Sequence, residues 1–146
     1  MKKTTKELIF TLLMISSSFL YAQSIVGKWQ TVDDNTGKPK AIVEIYQKED
    51  KYYGKIVELL YFPTNDHDPI CTPCKDYRKN MKVKGMEIIT GVKYDAKSKE
   101  YKDGKILDPE KGESYTCKLW IDNEGNLKVR GYVAMFYRTQ TWKKEK

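Results

Sequence analysis

The chain has 146 residues, with 27 Lys and Arg against 20 Asp and Glu, one His and a formal charge of +7. That length supports one modest core after any leader is removed. The three arginines, Arg78, Arg130 and Arg138, and lysines scattered among acids make a solvated surface, not the clustered basic stripe of a nucleic-acid binder.

Residues 1–22 read as a cleavable signal peptide. Lys2, Lys3 and Lys6 precede a 13-residue apolar run, 8–20, which suits an export core and falls short of the ~20 residues of a membrane-spanning helix. The serines at 16–18 and the small Ala22 suit cleavage before Gln23, and no cysteine follows there to carry a lipid. Residues 23–146 are then one domain. Without the three lysines and one glutamate of the leader its formal charge is +5, and its expected location is the periplasm or the outside of the cell. No later apolar run is long enough to span a membrane as a helix.

Beyond the leader, turn-forming clusters at 33–37, 49–51, 95–99, 108–112 and 122–125 separate short runs rich in Val, Ile, Tyr and Trp. This spacing predicts an all-β protein with eight strands. The first three are expected at 25–33, 40–48 and 52–60, and the first contains Gly27-Lys28-Trp29.

The connection that follows, 61–84, holds three prolines, the single histidine and two of the three cysteines, with little strand signal. A loop of this length in a compact domain is usually functional or anchored, and a lid or rim over a barrel mouth is one use for it. Cys71 and Cys74 are close enough to bond locally in an oxidising compartment, which leaves Cys117 as a buried free thiol. Three other readings stay open. Cys117 can bridge to Cys71 or Cys74. His67, Cys71 and Cys74 can hold zinc with Asp66, Asp68 or Cys117 as the fourth ligand. A redox or haem role rests on the C-x-x-C spacing alone.

Strands four to eight are expected at 86–93, 100–107, 113–121, 126–134 and 136–142. Within them Tyr115, Cys117, Leu119 and Ile121 alternate with Thr116, Lys118 and Trp120. Leu127, Val129 and Val133 likewise oppose Lys128, Arg130 and Tyr132. One apolar face per strand means a sheet with a dry side. Short connections pair sequence neighbours as hairpins, and eight such strands close into a mainly antiparallel up-and-down barrel, with an open sandwich as the rival. Asp108-Pro109-Glu110-Lys111-Gly112 reads as a hairpin turn, while Gly131 inside a strand marks a bulge or close packing beneath an aromatic. No nucleophile elbow or placed acid pair is present, which weighs against hydrolytic chemistry.

Gly27-x-Trp29 at the start and Arg138-Thr139-Gln140-Thr141-Trp142 at the end resemble the ends of the lipocalin and fatty-acid-binding superfamily. That resemblance implies an indole plugging one end of a barrel with a guanidinium across it, so Gly27, Trp29, Arg138 and Trp142 are expected to be structural. A longer series extends over nearly all of 23–146. It runs through Cys71-x-x-Cys74, Gly85-Met86-Glu87-Ile88, Ile106-Leu107-Asp108-Pro109, Gly112-x-x-Tyr115-x-Cys117 and Leu127-Lys128-Val129-Arg130-Gly131-Tyr132. Together these resemble the domain-of-unknown-function family 2147 of exported bacterial proteins, which implies a lipocalin-like barrel and no established activity.

The function expected from this reading is a binding module for a small apolar or amphiphilic ligand, partly covered by 61–84. A structural or interaction protein of the cell envelope with a filled barrel is the first alternative, and a redox or metal site at Cys71 and Cys74 the second. No catalytic residue, cofactor or metal ligand is assigned, no nucleic-acid partner is expected, and neither the ligand contacts nor a protein partner are legible in the sequence.

Overall fold

A computed structural model describes residues 23–64 and 66–146; the leader expected at 1–22 lies outside the described residues. Eight strands close into one antiparallel barrel in sequence order: β1 (Gly27–Val32), β2 (Pro39–Lys48), β3 (Lys51–Leu59), β4 (Glu87–Asp95), β5 (Glu100–Asp108), β6 (Glu113–Ile121), β7 (Leu127–Val133) and β8 (Phe136–Lys144). Every expected strand is present with ends within two residues of the expected ones, and the barrel, not the open sandwich, is the architecture. Closure gives every strand two neighbours in the ring.

The barrel has a filled end and an open end. At the filled end the chain enters beneath the strands. Ile25 is fully buried, and the Trp29 indole, also buried, donates its Nε1–H to the Ile25 carbonyl at 2.8 Å. A buried indole needs such an acceptor. Ile45, Val92, Leu119 and Leu127 pack around this plug, with Tyr101 edge-on to Tyr52 at 4.8 Å between ring centroids. Gly27 has φ 136, a backbone angle that side chains resist, so it sets the bend that brings Ile25 under the barrel.

The open end carries the β1–β2, β5–β6 and β7–β8 turns and the long β3–β4 connection. That connection is folded against itself. Ile70 and Lys82 form an antiparallel bridge, the Cys71 N–H donates to the Met81 carbonyl at 2.8 Å, and the Val83 N–H donates to the Pro69 carbonyl at 2.9 Å. Its buried clamp is Arg78, which pairs with Asp76, donates through Nη1 to the Glu87 carbonyl at 2.9 Å and through Nη2 to Ser114 Oγ at 3.3 Å. The guanidinium in turn holds the Asp76 carboxyl below its ordinary range.

The seam between β1 and β8 is the weakest part of the ring. Only Trp29 with Lys144 and Gln30 with Lys143 pair across it, both toward the filled end. The β6–β7 and β7–β8 ladders run without a register shift. Of the two readings of Gly131 the bulge is therefore absent, and the residue pairs with Cys117 on one side and Arg138 on the other, beside Tyr115.

Candidate functional site

A cavity of about 380 Å³ occupies the open half of the barrel. Its apolar wall comes from inward positions of facing strands: Val43 on β2, Ile56 on β3, Ile88 on β4, Leu107 on β5 and Val129 on β7. Phe62 and Val83 of the long connection also line it, so that connection does contribute to the mouth. Ligand pockets commonly enclose about 300 to 1,000 Å³, and this one has room for about a dozen waters.

One face of β8 supplies part of the polar wall, and Thr31, Asp34, Lys40, Asp108 and Lys111 supply polar groups elsewhere on it. Arg138, Gln140 and Trp142 alternate with the outward Thr139 and Thr141 and line the cavity, and Tyr137, although it starts the outer face, reaches its rim. Arg138, Gln140 and Trp142 are joined in series. The Trp142 Nε1–H donates to Gln140 Oε1 at 2.8 Å, Gln140 Nε2–H donates to Asp34 Oδ2 at 2.8 Å, and Arg138 Nη1 lies 3.3 Å from the same carboxylate oxygen. The loop carrying Asp34 is shaped by its neighbour: the Asp33 carboxylate accepts from the backbone of Thr36 and Asn35 and from the Thr36 hydroxyl, at 2.8 to 3.0 Å. These bonds, the Thr36 backbone bond foremost, hold the Asp33 carboxyl below its ordinary range.

This arrangement corrects one expectation. Arg138 does not lie across the Trp29 indole. Trp29 stands opposite Lys144, and six extended residues, about 20 Å, separate Lys144 from Arg138 along β8. Antiparallel pairing sets the end of β1 beside the start of β8, so the guanidinium belongs to the mouth and the Trp29 indole to the filled end. Of the four residues expected to be structural, Gly27 and Trp29 lie at that end, whereas Arg138 and the buried Trp142 line the cavity.

The mouth is strapped in a second direction. Lys40 at the start of β2 forms an ion pair with Glu110 in the β5–β6 turn, and both side chains are about three-quarters buried. In a ring of eight, β2 and β6 stand opposite each other, so this pair reaches across the opening.

The cysteine loop sits on the rim. Cys71 and Cys74 are bonded to each other and Cys117 is free and buried. The bridge to Cys117 is thus excluded, and bonded sulfurs cannot serve as thiolate ligands for zinc. His67 is exposed, and among the described residues no three His, Cys, Asp or Glu side chains converge as a metal site. Burial pushes the Cys117 thiol up to about 12. The disulfide loop rests on the β5–β6 turn: a Cβ on Gly112 would stand 2.2 Å from the Pro73 carbonyl oxygen, and Gly112 also has φ 67. Two motifs 38 residues apart in sequence, C-x-x-C and D-P-x-x-G, are therefore one packed unit.

Gly131 matters differently. A Cβ there would meet Tyr115 at 3.6 Å and Ile106 at 3.8 Å, ordinary contact distances, and its absent side chain leaves space in the cavity. Sequence reasoning passed over Asp34, Gln140, Lys40 and Arg78. Only Arg78 carried a signal: it is the lone arginine of the long connection, two residues after an aspartate that can orient it.

Comparison with known proteins agrees with this architecture. No functionally curated protein matches the chain significantly. A solved structure from Helicobacter pylori, protein HP1028, described as belonging to the lipocalin family, superposes with a TM-score of 0.70 over 84% of each chain at 18% identity. At that identity the likeness concerns the fold. The model of a family described as uncharacterised proteins conserved in bacteria, DUF2147, matches residues 27–144, the whole of the barrel from Gly27 to Lys144, and the chain belongs to that family.

Proposed function

We propose that the protein is exported and binds one small apolar or amphiphilic molecule in the open half of its barrel. The observation that carries this reading is the cavity itself: about 380 Å³, with an apolar wall of Val, Ile, Leu and Phe side chains and polar groups that include Arg138 and Gln140 on β8 and Lys40, Asp108 and Lys111. An apolar body gains from leaving water for such a wall, at about 25 cal/mol per Å² buried. A polar head finds the Arg138 guanidinium and the Gln140 amide at the mouth. Few placed polar groups in an apolar cleft are the general pattern of small-molecule sites.

The rival with a filled barrel accounts for only half of the molecule, since the Trp29 end is packed and the Arg138 end is not. Export is supported by the leader pattern at 1–22 and is compatible with the bonded Cys71 and Cys74. Native mass spectrometry of protein purified from its own host tests the proposal. A retained small molecule, released on denaturation, is the expected result. Protein of apo mass that also binds nothing in a lipid and metabolite screen would contradict it.

A further inference from the structure

The tip of the β7–β8 hairpin has the wrong chemistry for a solvent-exposed turn. Val133 pairs with Phe136, leaving Ala134 and Met135 as a two-residue connection, and Ala134 adopts φ 51. Turns of this kind normally take Gly, Asn or Asp at such an angle. Here five consecutive residues, 133–137, are Val, Ala, Met, Phe and Tyr. Met135 is 91% exposed and Phe136 75%. Apolar side chains gathered on a protruding tip mark a contact site.

The residues behind the tip are graded. On the outer wall Tyr132 and Tyr137 lie next, with ring centroids 6.2 Å apart, and the Arg130 guanidinium stacks 4.1 Å from the Tyr137 ring centroid. From tip to wall the order is aliphatic and Phe, then Tyr, then Arg. A bilayer presents the complementary order with depth: hydrocarbon, the interface that favours amphipathic rings, and phosphates. Charge agrees. In the half of the hairpin next to the tip the charged side chains are Arg130 and Arg138, both basic, the latter shared with Asp34, while Lys128, Lys143 and Lys144 stand toward the filled end. A two-residue tip is too narrow for the roughly 1,000 Å² that a specific protein interface needs, whereas lipid demands no shape match.

We propose that this tip inserts into the surface of an anionic lipid bilayer and so turns the cavity mouth toward the membrane. Val133, Phe136 and Tyr137 belong to both the tip and the cavity rim, so an inserted tip sets the opening against lipid. Docking rests on the apolar tip, the two tyrosines and the arginines behind it, and an empty cavity would leave it intact.

The test is co-sedimentation of the protein, purified from its host, with vesicles of phosphatidylglycerol and phosphatidylethanolamine, against vesicles of phosphatidylcholine alone. The expected result is binding to the anionic vesicles that weakens with added salt, and a partition coefficient at least about tenfold lower for M135S/F136S. Both side chains are exposed, so the melting curve of that variant should match wild type. In F136W the new indole emission should shift to the blue on adding anionic vesicles and not on adding phosphatidylcholine. Three results would overturn the proposal: no sedimentation of wild type with either vesicle, equal partitioning of wild type and M135S/F136S, or a concentration-dependent dimer lost in M135S/F136S without vesicle binding. Vesicle binding by protein that retains no small molecule would uphold the docking surface while contradicting the ligand-binding reading, so the two fail separately.

Discussion

Asp34 and Gln140 meet at 2.8 Å although 106 residues separate them in sequence. Their contact closes the open-end half of the β1–β8 seam, where no backbone pair does so, and it also fixes Gln140 beneath Arg138 and above Trp142. The same side chains that finish the barrel thus form part of the polar wall of its cavity.

Removing that latch should loosen one end only. Asp34→Ala deletes a hydrogen bond from Gln140 and an exposed ion pair with Arg138, worth together about 1 kcal/mol. The expected outcome is a melting temperature lower by a few degrees. Hydrogen exchange should quicken at Val32 and at the Phe136 end of β8, with Trp29 and Lys144 unaffected. Uniform quickening around the barrel would contradict the seam's role.

The strap between Lys40 and Glu110 should act on rate more than on affinity. Glu110→Gln removes the charge pair that reaches across the mouth while keeping the side-chain shape. Stopped-flow mixing with a fluorescent amphiphile should show association and dissociation both faster by a few-fold, and added salt should produce part of the same change in wild type. Association and dissociation rates equal to wild type, or a change in dissociation alone that shifts the equilibrium constant, would show that the pair is not a barrier.

Gly112→Ala should separate the disulfide loop from the β5–β6 turn. The new Cβ would overlap the Pro73 carbonyl and would sit at φ 67, so about 2 kcal/mol or more of stability should be lost. Limited proteolysis should then cut within 61–84 at protease levels that leave wild type whole. Denaturant melts and protease sensitivity equal to wild type would mean that the contact is not a constraint.

Cys117 gives a pH prediction with a definite sign. Its folded value is raised to about 12 from an ordinary value near 9, with burial as the main cause, so the folded state holds the proton more tightly than the unfolded chain. Its contribution is fully present below pH 9 and is lost as pH rises toward 12, by up to about 1.4 kcal/mol per pH unit. Denaturant melts of wild type should therefore lose stability more steeply over that range than those of Cys117→Ala. At neutral pH the native thiol should resist alkylation and react only on unfolding. Equal slopes together with rapid native alkylation would contradict its burial.

The strands were legible because turn chemistry and alternation are local. Asp-, Gly- and Lys-rich clusters ended each run, and Cys117, Leu119, Leu127 and Val129 fell on the inner face by period alone, whereas the interior place of Trp29 came with the superfamily resemblance. Position around and along the ring was less legible. Strand order says that β1 meets β8, but only the register shows that Arg138 stands six residues beyond the partner of Trp29. Alternation placed Val133 inward correctly, yet the barrel wall ends there and leaves the side chain about half exposed. Gly112 read as a turn glycine, and its second duty, admitting the Pro73 backbone, depends on a residue 39 positions away. The pairing of Asp34 with Gln140 had no local signal, because both are ordinary polar residues until the ring closes.

The most direct test of the ligand-binding account is occupancy of the cavity when its volume alone is changed. Gly131→Leu places a branched side chain into the open half from a position where the first carbon meets only ordinary contacts at 3.6 and 3.8 Å, so the barrel should fold with nearly unchanged melting. Titration with an environment-sensitive fluorescent fatty acid should show one blue-shifted probe bound per wild-type chain and at least about tenfold weaker binding by the variant. Equal binding by the two proteins, or no binding by wild type, would contradict a ligand site inside the barrel.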